Sequence, residues 1–356
     1  MKNLMKPFLA LSIIIVVMAG CKKHPQPEAN DSMYFPPQGN EWSTVSHAAL
    51  GWKHQNIQPL LNYLQQKNTK SFMILVNGKI AMENYFDGHS AGASWPWNSA
   101  GKTLVTATTG LAQQEGLLQV NDKVSDHLGV GWTSEPADKE NLIQIKHLLT
   151  MTSGINDASE LVIRSNLTYL ADAGTRWSYH NVFQKLMDVV EAASGLNFET
   201  HFNNKLKSRI GMEGSWNNGI IFKVYHSNTR SMARFGLLAL NKGKWNNEQV
   251  LSESFFTESV SSSQALNPSY GYLWWLNGKS NYMLPGGQTV FPGMLVPNAP
   301  ADMYAAMGAE DQRIYVIPSK KMVIVRMGNA SNPANPNFAL SGFDNELWEK
   351  INAVIQ

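Results

Sequence analysis

The stretch WPWNSAGKTL, residues 95–104, sets a serine and a lysine three positions apart ahead of an apolar run. If that run is helical, positions i and i+3 share a face, so the Ser99 hydroxyl and the Lys102 amine lie side by side. A serine hydroxyl is a poor nucleophile until a neighbouring base takes its proton. Lysine is such a base only when neutral, and bringing it from near 10.4 to about 7 takes roughly 4 kcal/mol against its charged form. Burial beneath aromatic rings supplies a penalty of that kind, and Trp95 and Trp97 are the nearest candidates for the wall. Asn98 is placed to cap the helix, which leaves Ser99 near its N-terminus, where the dipole favours a developing anion. The spacing alone does not decide the matter. Roughly one S-x-x-K arises by chance in a chain of this size, and a solvated pair on a surface helix has the same signature. Of all the lysines, though, only Lys102 has a serine three positions before it.

A second element narrows the choice. Tyr179-His180-Asn181 is the only Y-x-N in the chain and stands at the mouth of a helix-like stretch, HNVFQKLMDVVEAASG. A phenol beside the lysine can shuttle a proton from Ser99 to a leaving group. Asn181 can hydrogen-bond the lysine or a substrate amide. His180, between them, points the other way and has no evident partner acid. The chain offers no G-x-S-x-G elbow, H-E-x-x-H, C-x-x-C or Gly-rich phosphate loop, and no His/Asp/Glu cluster has metal-ligand spacing. No metal and no cofactor are expected.

Elements to position these groups are legible on both sides. SFMILVNGKIAMENYF (71–86) reads as a hairpin about Asn77-Gly78. A helix follows from about Ser99 to Gln114, closed by Gly116. From about 120 to 265 the pattern is mostly helical, including NLIQIKHLLTM, the stretch after Tyr179, and NTRSMARFGLLALNKG, which stops at Gly243. β character returns in SYGYLWWLNG (269–278), MYAAMGAEDQRIYVIP (303–318) and MVIVRMG (322–328). GFDNELWEKINAVI then forms an amphipathic C-terminal helix. The economical arrangement is α+β: one antiparallel sheet built from both ends of the chain, flanked by helices, with a mostly helical part inserted. The sheet part takes about 46–120 and 265–356, the helical part about 121–264. Clefts between two such parts are where ligands usually bind.

Composition bounds the rest. The 356 residues are 43% hydrophobic and 16% charged, enough for a sizeable core. Lys plus Arg number 29 against 27 Asp plus Glu, so the balance argues against a nucleic-acid partner. Pro7 to Gly20 is apolar behind Lys2 and Lys6, but as a helix it spans about 20 Å, short of the roughly 30 Å hydrocarbon core. Residues 1–20 therefore read as a signal peptide. The only cysteine, Cys21, follows Met18-Ala19-Gly20, and residues 21–45 read as a polar, Pro-rich tether.

The order and spacing of Ser99/Lys102, Tyr179-x-Asn181 and the stretches GLAQQEGLLQVNDKVSDHL, IKHLLTMTSGI, GTRWSYHN and SMARFGLLALNKG resemble the serine beta-lactamase and penicillin-binding-protein superfamily, in particular its class C-like branch. That branch includes D-alanyl-D-alanine peptidases, esterases and 6-aminohexanoate-dimer hydrolases. The resemblance runs from about residue 60 to 330. It implies a beta-lactamase-like domain over 46–356, with Ser99 as acyl-accepting nucleophile, Lys102 as base, Tyr179 as catalytic phenol and Asn181 in support. The region before Cys21 resembles a bacterial lipobox, which implies a lipidated mature N-terminus, a membrane anchor and a place in the cell envelope. The third family element departs from pattern. Where relatives acting on beta-lactams or peptidoglycan carry Lys-Thr-Gly or His-x-Gly, this chain has Ala306-Met307-Gly308. Gly308 permits close approach, and the Ala309 N–H can join the Ser99 N–H as an oxyanion hole, at about 3 kcal/mol per donor. The missing cation leaves a substrate carboxylate poorly compensated, which favours neutral esters or amides, unless Arg313 or Lys223 supplies charge from another side. The expectation is an exported serine hydrolase acting through an acyl-enzyme on a small ester or amide. The alternatives are a D,D-peptidase or weak beta-lactamase, and a catalytically silent envelope protein of the penicillin-binding type.

Several other residues read as structural. His147 is a hydrogen-bonder, and Trp274 and Trp275 must face opposite sides of a strand, one towards the core. LPGGQTVFPG (284–293) is a turn-rich loop, with a place at the border of the cleft as its other reading. Glu310 and Asp311 belong to a turn.

Overall fold

In the computed structural model, which describes Met1 and residues 32–219, 221–334 and 342–356, Asn77 and Gly78 both take positive φ, 49° and 79°. That is the backbone a two-residue hairpin with right-twisted strands requires. The hairpin joins β1 (Thr69–Val76) to β2 (Lys79–Tyr85), antiparallel with Ile74 opposite Met82. A Cβ at residue 78 would fall 1.8 Å from the Tyr34 carbonyl oxygen, so a side chain is excluded there twice over.

Four more strands complete the main sheet: β3 (Trp275–Leu276), β4 (Tyr304–Gly308), β5 (Gln312–Ile317) and β6 (Met322–Gly328), in the order β2-β1-β6-β5-β4-β3, every neighbouring pair antiparallel. The first hairpin thus pairs with the last strand, Ile74 opposite Ile324, so both ends of the chain share one sheet. β4, β5 and β6 are buried along their whole length because both faces are covered. Helices α1 (Ile57–Gln66) and α5 (Gly342–Ile355) pack together on one face, where Trp348 meets Tyr315 edge-on at 5.7 Å. On the other lies α4 (Thr229–Leu240), whose Gly236 comes so close that a Cβ would fall 2.5 Å from Val323 and 2.9 Å from Ile314. Ile314 and Tyr315 are consecutive and meet opposite layers, as strand alternation demands.

Between the sheet and the rest runs α2 (Lys102–Gln114), buried from Lys102 through Ala112. Its Thr103, Thr108 and Thr109 hydroxyls return to helix carbonyls at 2.7–2.9 Å, which lets polar side chains sit in an apolar layer. The helix ends at Glu115 and Gly116 (φ 74°), as its sequence indicates. α3 (Lys185–Ser194) packs against it and stops at the left-handed Gly195.

Three expectations are corrected. The tether does not reach residue 45: Met33–Gln356 is one compact unit. Arg234 donates to the carbonyls of Pro37 at 2.5 Å and Gly39 at 3.0 Å, Trp42 Nε1 bonds Gly78 O at 2.8 Å, and the Val45 N–H bonds Ile80 O at 2.9 Å. Backbone groups that find partners hold the segment down. Cys21 and the apolar segment before it lie outside the described residues. Second, α4 falls within the span read as the helical part yet packs on the main sheet. Third, the region from Thr150 to Tyr179 is mostly irregular rather than helical. It is held by long-range backbone bonds such as Ser178 N–H to Met151 O, 2.8 Å, and Gly174 N–H to Thr152 O, 2.7 Å.

Candidate active site

Ser99 lies in a single 3-10 turn, Asn98–Gly101, and Lys102 is the first residue of α2. The Lys102 Nζ is 2.7 Å from the Ser99 Oγ. Lys102 is 3% exposed, while Ser99 remains partly accessible to solvent. Nζ sits 4.5 Å from the centre of the Phe183 ring and 4.7 Å from that of Tyr179. The rings return part of the lost hydration through their π-faces. Burial still dominates: it brings the Lys102 pKa down to about 7, against the opposing pull of the Glu160 charge. A lysine with a pKa near neutrality that is already bonded to a hydroxyl can serve as a base towards it.

The wall is not the one read from sequence. Trp97 is fully buried beneath the turn, its indole N–H bonded to Ser227 Oγ at 2.7 Å, and Trp95 bonds Gly328 O at 3.2 Å. Phe183, four residues past Tyr179, takes their place: the turn Asn181–Gln184 brings its ring, like the phenol's, against the lysine amine. Nor does Asn98 cap the helix. It takes a left-handed conformation (φ 49°), and its amide donates to Ala309 O at 2.9 Å, tying the nucleophile turn to the sheet edge.

Tyr179 is held from below. Its ring stacks on Trp275 at 5.7 Å and meets Tyr270 edge-on at 6.1 Å. Trp275 and Trp274 do face opposite ways. The first supports the phenol, and the second stacks on Phe235 at 5.9 Å in the core, both being 1% exposed. The Tyr179 hydroxyl is buried without a completed hydrogen bond, although the Ser99 hydroxyl is near enough to lower its pKa. Burial outweighs that and pushes the phenol well above its usual range. It therefore stays protonated at any ordinary pH.

β4 brings the third element to the same place. A Cβ on Gly308 would fall 2.5 Å from Trp97 O, 2.9 Å from Ala100 N and 3.0 Å from Ser99 N. The strand end therefore lies directly along the backbone of the nucleophile turn, and Ala309 follows at its tip. Ala306 and Met307 are buried within the sheet. Arg313, fully buried, donates to Gly308 O at 2.8 Å, to Asp344 at 2.6 and 2.9 Å, and to Asp311 at 2.9 Å. Its charge is spent inside the protein. Asp311 belongs to that ion pair and Glu310 to the left-handed turn before β5 (φ 57°).

Of the two partners expected for Asn181, the lysine is not the one it takes: its amide donates to Glu160, to the carboxylate at 2.6 Å and to the backbone carbonyl at 3.3 Å. His180 turns away and bonds Ser159 O at 2.7 Å. His147 accepts the Gln144 N–H at 3.0 Å, its pKa brought down to about 4 by burial, a structural role. From the loop at 284–293, Gln288 reaches Trp177 O at 2.9 Å. Phe183 and Glu160 escaped the sequence reading. Phe183 carried a signal in its place one helical turn past Tyr179, whereas Glu160 lies in an irregular loop and carried none. Among the described residues no three His, Cys, Asp or Glu side chains gather to hold a metal ion.

A buried lysine bonded to a turn serine, a phenol beside that lysine and a glycine strand end alongside are thus gathered at one place on an α+β fold. The family model described as Beta-lactamase matches residues 62–344, and the chain belongs to that family of serine hydrolases. No curated relative matches the chain. Among solved structures it is similar to a protein assigned as a beta-lactamase from Bacteroides dorei, with TM-score 0.66, 15% identity, and 85% of this chain and 98% of that one covered. It is similar also to one assigned as a 6-aminohexanoate-dimer hydrolase from Bacillus anthracis, at 0.66 and 17%, covering 90% and 88%. A third is a penicillin-binding protein from Bacillus halodurans, at 0.60 and 15%, covering 83% and 98%. At these identities the likeness is one of fold.

Proposed function

We propose that the protein is an exported serine hydrolase that cleaves a small ester or amide through an acyl-enzyme. The observation that carries this reading is the 2.7 Å contact between Ser99 Oγ and a fully buried Lys102 whose pKa lies near 7. Ser99 Oγ attacks the substrate carbonyl as its proton passes to Lys102 Nζ. The Ser99 and Ala309 N–H groups hold the oxyanion of the tetrahedral intermediate. Tyr179 relays the proton to the leaving alcohol or amine as the carbonyl re-forms. Water, deprotonated in turn by Lys102, then attacks the acyl-Ser99 ester, releasing the acid and regenerating the hydroxyl. Gly308 keeps the strand end close enough for substrate to lie against it, and Asn181 supports the substrate side of the cleft. The Met18-Ala19-Gly20-Cys21 sequence supports a lipid-bearing Cys21 as mature N-terminus and hence a place on a membrane of the cell envelope.

Labelling with a fluorophosphonate, read by intact mass, tests the hydrolase reading. One adduct is expected on the parent and none on Ser99→Ala. A parent that takes no label, or a variant that keeps it, overturns the assignment. The silent-protein alternative predicts the first of those outcomes.

A further inference from the structure

Resting on that reading, we infer that the site is built for esters or amides bearing a cationic ammonium group, with Glu160 as the residue that selects them. Glu160 Oε2 accepts from the Asn181 amide at 2.6 Å, so the carboxylate is fixed beside the Tyr179-His180-Asn181 element rather than waving in solvent. The Glu160 side chain is exposed, and no ion pair holds it among the described residues. Three cations of the neighbouring segments are engaged elsewhere: Arg176 with Asp157, Lys185 with Asp188, and Arg164 with Gly131 O. Its charge reaches into the catalytic centre, where it acts on both Lys102 and Tyr179. At the strand position where relatives carry a carboxylate-binding cation, Ala306 has none to offer, and Arg313 is consumed by Asp311 and Asp344. A carboxylate fixed beside the Tyr179-His180-Asn181 element attracts positive substrates.

The carboxylate also works against the apo enzyme, because its field raises the Lys102 pKa and opposes loss of the proton. The groups facing Lys102 are the Ser99 hydroxyl, the Tyr179 and Phe183 rings and the Glu160 charge. Of these Glu160 alone is a carboxylate. A substrate ammonium docked on it cancels that field, so the lysine becomes a free base at lower pH in the complex. The same contact thereby binds the substrate and readies the base.

The test uses near-isosteric pairs on the whole protein. One pair is β-alanyl and butyryl p-nitroanilide, which differ by ammonium for methyl on the acyl side. The other is butyrylcholine and 3,3-dimethylbutyl butyrate, which differ on the leaving side. At least one cationic member should exceed its neutral twin about five- to tenfold in kcat/KM, the lower range for a charge-assisted bond because Glu160 is exposed. Glu160→Gln, which keeps an acceptor for Asn181, should bring that ratio to about one, Glu160→Lys should invert it, and Glu160→Asp should retain most of it. The acid limb of the kcat/KM profile for a neutral ester should also move to lower pH in Glu160→Gln. A merely structural role would slow both members alike and leave the ratio untouched. Turnover of the neutral twins with no cationic preference in either pair overturns this inference alone, as does a preference that survives in Glu160→Gln. A parent that neither turns over any of the four nor takes a fluorophosphonate label overturns the hydrolase reading as well.

Discussion

Lys102→Met should destroy turnover and stabilise the fold. Each tenfold loss of proton affinity is worth 1.36 kcal/mol, so a fall from 10.5 to about 7 represents about 5 kcal/mol against the charged form. The sign follows from proton counts. Below the folded pKa the amine is charged in both states and the whole burial cost falls on the native state. Between about 7 and 10.5 the unfolded chain binds the extra proton, so native stability rises with pH through that window. Above it both states are neutral and the cost is gone. Methionine keeps the stem and removes the charge, at the loss of the bond to Ser99, worth about 1 kcal/mol. A net gain of about 3 kcal/mol at pH 7 corresponds to roughly 5 °C in Tm for a domain of this size. The more telling quantity is the pH dependence, because packing changes cancel in it. The gap between variant and parent should narrow by about 2 kcal/mol between pH 7 and pH 9. Urea melts of both proteins at the two pH values measure it. A variant less stable than the parent at pH 7, or a gap independent of pH, would refute the argument that Lys102 is held neutral by burial.

The same lysine sets the rate profile: kcat/KM should rise through an apparent pKa near 7 and stay level to at least pH 9, since Tyr179 does not ionise there, and a rise centred above 9 would contradict it. Gly308→Ala drives a methyl into the backbone of the nucleophile turn; denaturation and steady-state assays should show about 1–3 kcal/mol of lost stability and about 100-fold lost kcat/KM, against near-parental values if the strand edge is slack. Neutral p-nitrophenyl esters should exceed nitrocefin roughly ten- to a hundredfold on one enzyme preparation, because no cation faces its carboxylate; equal rates would move the assignment to the beta-lactamase side. Cys21→Ser should release the protein from the membrane fraction in detergent partitioning, and retention equal to the parent would place the anchor elsewhere.

Periodicity and turn chemistry carried most of the fold. The Asn77-Gly78 hairpin, the helix through Gln114 and the closing strands and helix are each specified by local sequence, and the pairing of both chain ends follows from having one sheet to fill. Ser99, Lys102 and Tyr179 were legible because short spacings fix them on one turn or at one helix mouth. What stayed hidden depends on contacts distant in sequence. The Lys102 wall was misread because the 3-10 turn before α2 rotates Trp97 into the core, a choice the i, i+3 pattern does not encode. Glu160 meets Asn181 only through an irregular loop whose path is set by backbone bonds such as Gly174 N–H to Thr152 O. The segment from 33 to 45 looks like a linker by composition, and only the carbonyl-seeking Arg234, nearly 200 residues away, makes it part of the body.

Arg313 shows how the remaining departure from the family pattern fits together. A guanidinium one strand away from Ala306 is the obvious candidate to replace a missing cation in the cleft, and by charge alone it would serve. Its five donors are instead distributed over Asp344 on α5, Asp311 in the turn, and the carbonyls of Gly308 and Gln312. Turning any of them towards a substrate would leave a buried carboxylate or carbonyl unpaired, at several kcal/mol. The arrangement locks the end of β4 to the C-terminal helix and so fixes the glycine edge against Ser99. With that cation committed to holding the strand in place, it cannot stand in for the one missing at Ala306.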